Sequence, residues 1–81
     1  MKDFVKRMID EHKQLNENIA KLNNALKRQI CSLTISLHEF GAMNIQLKAM
    51  QSYSEALTIR LELHGIVIAD NGTYFEKINN E

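Results

Sequence analysis

Four cations and one imidazole carry most of the chemistry this sequence offers. His12 falls on a seam position of a helical apolar pattern, between Glu11 and Lys13. A ring there either half-buries in a helix–helix contact or presents a flat face on which an unstacked nucleobase can rest. Lys21, Lys27 and Arg28 form a basic patch, with no Asp or Glu between Glu17 and Glu39. The patch reads as a solvated face favoured by the helix C-terminal dipole, or as a phosphate contact. If two protomers meet about a dyad, a single Lys27 becomes two facing cations, matching a ligand with two phosphates. Arg60 is the sole arginine of the second helical stretch, and its i, i+5 spacing from Glu55 is poor for a helix salt bridge. It reads as an interprotomer salt bridge or as an anion-facing guanidinium fork.

No catalytic constellation accompanies these residues. There is no Gly-rich phosphate loop, and scattered Ser, His and Asp are no signal by themselves. His12, His38 and His64 lie far apart, outside any metal-ligand spacing, so neither a metal nor another cofactor is expected, and the chain reads as no enzyme. Cys31 is the only cysteine, which excludes an intrachain disulfide; it reads as a small apolar residue beside a helix break. Met43 and Met50 read as core filling, and Tyr53 as an interface anchor.

The elements that position these residues are helical. Val5, Met8, His12, Leu15, Ile19, Leu22 and Leu26 recur at alternating steps of three and four, with Phe4 and Ile9 widening the stripe. Helix 1 is therefore expected over 3–30, with Asp3 as N-cap and a break across Cys31 to Ile35. Ser36 and Glu39 form a capping box that opens helix 2 over 36–64. Its stripe runs through Leu37, Phe40, Met43, Leu47, Met50, Leu57 and Leu61, with a polar gap at Ser54. Ile45, Tyr53 and Ile59 lie off that line, so helix 2 has two partly apolar faces and needs two neighbours. Gly65 fits a helix C′ position. Ile66–Ala69, Asp70-Asn71-Gly72 and Thr73–Phe75 predict a short β-hairpin over 66–76.

At 81 residues the chain is one thin domain. The expected fold class is all-α: an antiparallel helical hairpin assembling into a symmetric homo-oligomeric bundle, with a short C-terminal β-hairpin. Net charge is zero, but residues 1–30 carry +3 and residues 31–81 carry −3, which suits packing of unlike ends. Zero net charge argues against general DNA binding. No apolar run reaches membrane-span length and the N-terminus lacks a signal peptide's apolar core, so a cytoplasmic protein is expected, with no membrane partner.

Two stretches then carry a resemblance. Met8-Ile9-Asp10-Glu11-His12-Lys13-Gln14-Leu15, continuing through Ile19-Ala20-Lys21-Leu22, pairs with Gln46-Leu47-Lys48-Ala49-Met50-Gln51, Tyr53, Leu57 and Arg60. Together, in this order and separation, they resemble the phage anti-CBASS cyclic-oligonucleotide sponges and related small proteins of crAss-like phages, over about residues 4–62. The resemblance implies non-catalytic capture of cyclic dinucleotide or trinucleotide messengers inside an infected bacterium, by a helical hexamer. It implies a dinucleotide pocket between paired protomers, with His12 as the base-stacking ring and Lys27 on phosphate. It also implies a separate trinucleotide site, with Arg60 on phosphate and Ala25 and Gln29 lining it. Histidine departs from the tyrosine that the family commonly has at this position. The alternative is a homo-oligomeric interaction protein that offers a helix face to a host or phage protein and binds no nucleotide.

Overall fold

The computed structural model describes the backbone of residues 2–32 and 35–77, and the side chains of 2–28 and 35–77. Two helices, α1 (Asp3–Ser32) and α2 (Leu37–Leu63), form an antiparallel hairpin followed by strands β1 (Ile66–Ile68) and β2 (Tyr74–Glu76). The described chain is a rod, 57 × 20 × 18 Å.

The first acceptor of α1 is the Lys2 carbonyl, which takes the amides of Val5 and Lys6 at 3.1 and 3.2 Å. Lys2 therefore occupies the cap, and Asp3, expected there, is the first helical residue, its carboxylate beside the positive end of the dipole. The helix also runs to Ser32 rather than ending at residue 30. Residues 33 and 34, part of the expected break, lie outside the described ones, as does the side chain of Cys31. For α2, Ser36 Oγ accepts from the Glu39 amide at 3.1 Å, as a capping box requires.

The α1 seam is the buried face: Val5, Met8, His12, Leu15 and Leu26 are buried and Ile19 and Leu22 half-buried. Against it lie Met50, Leu57 and Leu61 of α2, the latter two fully inaccessible. Leu37 departs from its expected place in that stripe, since as the first residue of α2 it is 88% exposed. The other apolar set of α2, Ile45, Tyr53 and Ile59, points outward, 72%, 45% and 52% exposed.

At the far end, His64 caps α2 and Gly65 reverses the chain at φ +83°, a conformation that side-chain-bearing residues rarely adopt. The strands pair antiparallel with Ile68 opposite Tyr74. Gly72, at φ +85°, closes a three-residue loop in which its amide donates to the Ala69 carbonyl. The hairpin is anchored rather than free: Ile66 is 1% exposed in the core, and Ile68 and Tyr74 pack against it. That docking answers the marginal stability of an isolated two-stranded ribbon.

Candidate functional site

The seam of α1 is interrupted by His12 and the stripe of α2 by Ser54, and these two interruptions meet. His12 Nε2 lies 3.0 Å from Thr58 Oγ1 and 3.3 Å from Ser54 Oγ. Both hydroxyl protons are already committed, Thr58 donating to the Ser54 carbonyl at 3.0 Å and Ser54 to Asn16 Oδ1 at 2.7 Å. Those oxygens can therefore only accept from the ring, which places the imidazole proton on Nε2. Nδ1 is left as an acceptor, and the Tyr74 hydroxyl donates to it at 2.6 Å. His12 is 4% exposed, and this desolvation lowers its pKa, holding the ring neutral. Burial likewise raises the Tyr74 phenol above its ordinary range.

The Tyr74 ring stands edge-on to His12, centroids 5.7 Å apart at 86°, and the Lys13 ammonium lies 5.3 Å from the Tyr74 centroid. Around them opens a cleft of about 510 Å³ between α1 and the hairpin, lined by His12, Lys13, Asn16, Glu17, Asn71 and Tyr74 among others. That volume falls inside the roughly 300–1,000 Å³ typical of small-molecule sites.

Lys21, Asn24, Lys27 and Arg28 lie together on an exposed, open face of α1. Three cations with no acid among them make it an anion-attracting surface. Lys27 and Arg60 are both exposed, and neither has an ion-pair or side-chain hydrogen-bond partner among the described residues. Ala25 is half-buried; the Gln29 side chain lies outside the described ones.

One chain does not bring the expected partners together. His12 and Lys27 sit on the same helix fifteen residues apart, about 22 Å at 1.5 Å per residue. Because His12 touches Ser54 and Thr58, Arg60 stands level with the Met8–Ile9 turn. Ala25 lies about 24 Å further along α1. Any pocket using either pair must draw its residues from more than one chain.

Tyr74, Thr58, Ser54 and Asn16 were not singled out as site residues by sequence reasoning. A signal existed: a polar residue in the stripe of each helix, at levels an antiparallel hairpin makes opposite. Nothing comparable pointed to Tyr74, since the turn length that aims its ring at α1 is not written in the strand pattern. Among the described residues, no cluster of His, Cys, Asp or Glu could hold a metal ion, and no helix is long and apolar enough to cross a membrane. Comparison with known proteins returns one family model, described as Sequestin, over residues 2–63. No curated protein and no solved structure matches.

Proposed function

This chain belongs to the Sequestin family, whose model spans both of its long helices, and from that premise we propose that it is a homo-oligomeric sponge that captures cyclic oligonucleotide messengers without altering them. The family name denotes sequestration, the binding and withholding of a ligand. The ligand class follows from the anti-CBASS sponge resemblance, and the charge and shape of the chain suit it. The observation that carries the reading is the separation of its cations and rings. His12 and Lys27, or Arg60 with Ala25 and Gln29, become neighbours only across protomers. A symmetric assembly then faces like cations around an axis, which matches ligands that are themselves nearly symmetric polyanions.

The exposed face of α2 supports self-assembly in some detail. Ala42, Ile45, Ala49, Ser52, Ala56, Ile59 and Leu63 recur at steps of three and four, and all are exposed. Laid antiparallel on a second copy, Ile45 meets Leu63 of the partner subunit, Ala49 meets the partner's Ile59, and Ser52 meets the partner's Ala56. Large residues close the ends and small ones let the helices approach at the centre. On the flanks Tyr53 then lies within two residues of level with the partner's Tyr53. Arg60 is left at the rim of that interface, available to an anion. In this reading the phage protein acts in the cytoplasm of the infected host, as a hexamer, with a dinucleotide site in the cleft beside His12, completed by Lys27 of a second protomer, and a trinucleotide site at Arg60, Ala25 and Gln29.

Calorimetry against a panel of cyclic dinucleotides and trinucleotides, beside a mass measurement in solution, tests it. Binding, an oligomeric mass and recovery of the intact messenger after heating are expected. Linear products would establish an enzyme instead. Flat traces from an oligomeric protein would favour an interaction module that binds another protein. Arg60→Ala should lose trinucleotides and keep dinucleotides; equal loss of both would remove the two-site scheme.

A further inference from the structure

The cleft between α1 and the hairpin contains a ring placed to receive a base, and that ring is not His12. The imidazole is 4% exposed, and both its nitrogens are engaged within the chain. Tyr74 is half-buried, lines the cleft, and belongs to a hairpin that begins beyond residue 63, the last position of the family match. Resting on the cyclic-oligonucleotide reading above, we infer that Tyr74 is the surface on which a base of the captured ligand stacks, with Lys13 as its phosphate partner. The C-terminal hairpin is on this account part of the binding site.

The geometry supports each role. The hydrogen bond to His12 Nδ1, at 2.6 Å, pins the phenol, so the ring plane is set before a ligand arrives. His12 is thus a positioning residue that acts through Tyr74. The Lys13 ammonium lies 5.3 Å from the ring centroid on a long exposed side chain. A base sliding onto that face displaces the ammonium towards the phosphate that follows the base, so one cation serves the empty and the occupied cleft. Glu17 supplies a carboxylate acceptor at the rim, suited to an exocyclic amine. Asn71, which also lines the cleft, accepts the Thr73 amide through Oδ1.

Tyr53 and Tyr74 are the only tyrosines and there is no tryptophan, so a Tyr53→Phe background makes intrinsic emission report on Tyr74 alone. Titration of that protein with cyclic di-GMP and cyclic di-AMP should quench the emission saturably, at the concentrations calorimetry gives for binding. Tyr74→Leu should weaken cyclic dinucleotide binding by about 5- to 150-fold, the range that loss of one stacked base predicts. Tyr74→Phe keeps the ring and should bind at least about fivefold better than Tyr74→Leu. Lys13→Gln should flatten the salt dependence of binding. Wild-type binding with unquenched emission, or equal affinity in all three Tyr74 forms, would overturn the assignment while leaving the sponge reading intact. Absence of any cyclic nucleotide binding by wild type would overturn both. If Tyr74→Leu does not fold, the emission titration and Tyr74→Phe against Lys13→Gln still decide.

Discussion

Replacing Tyr74 by phenylalanine removes one oxygen atom, and its cost can be worked from the polar layer. The lost bond is a 2.6 Å donation to the Nδ1 of a ring that is 4% exposed. A hydrogen bond between neutral groups contributes about 0.5–1.5 kcal/mol net, but stranding a buried acceptor costs about 1–3 kcal/mol. Asn16 Nδ2 lies 3.4 Å from Nδ1 and can partly take over, which places the expected loss in the lower part of that range, about 1–2 kcal/mol. For a chain of this length that is a fall in Tm of about 4–16 °C. Urea and thermal unfolding followed by far-UV circular dichroism, at a pH where histidine is neutral and at matched protein concentration, would measure it. The same substitution in a His12→Leu background should cost about 1 kcal/mol less, because the two groups are in contact and their effects cannot add. A Tyr74→Phe protein within about 0.5 kcal/mol of wild type, the range of an ordinary surface change, would refute the tautomer assignment and the anchoring role of the hairpin together.

Three further outcomes are expected. Burial lowers the His12 pKa below its ordinary 6.5, so an unfolded chain takes up the proton first as pH falls. Stability should therefore be full above that value and decline below it, and the decline should be shallower in His12→Gln when the two unfolding profiles are compared. Leu61→Ala empties a fully buried site beside Leu57 and should cost about 2–5 kcal/mol in urea unfolding, against under about 0.5 kcal/mol for Gln51→Ala, an exposed position off the proposed α2 pairing stripe. Ile59→Glu buries nothing in the single chain, yet it should lower the mass found by light scattering while leaving helicity at the monomer level largely unchanged. An unaltered mass would remove the proposed α2 pairing.

Much of this architecture is legible in the sequence. The alternating steps from Val5 to Leu26 announce one inward face, and the structure buries or half-buries those side chains. The two-sided character of α2 was equally plain from Ile45, Tyr53 and Ile59, because apolar residues on opposite faces leave a helix no single inside. Leu37 departs from its stripe because periodicity alone does not say whether the first residue of a helix is covered like those of the later turns. The cap moved from Asp3 to Lys2 for a related reason: side-chain preference competes with the backbone's own supply of a first carbonyl. The site was harder to read. Lys27 and Arg60 stood out as cations lacking nearby acids, but their distance from His12 and Ala25 depends on hairpin geometry that spacing along the chain conceals. Tyr74 became relevant only when the loop at Gly72 folded its strand onto α1.

The meeting of His12 with Ser54 and Thr58 also governs how the two long helices align. Greasy positions repeating every seven residues would let one rod slide along the other by a full heptad with little change in what is covered. Such a slip would set the imidazole against aliphatic neighbours and strand two nitrogens in oil, a penalty that no alternative leucine contact offsets. A single wet rung among dry ones therefore acts as a key in a lock, fixing where along α1 the β-ribbon seats.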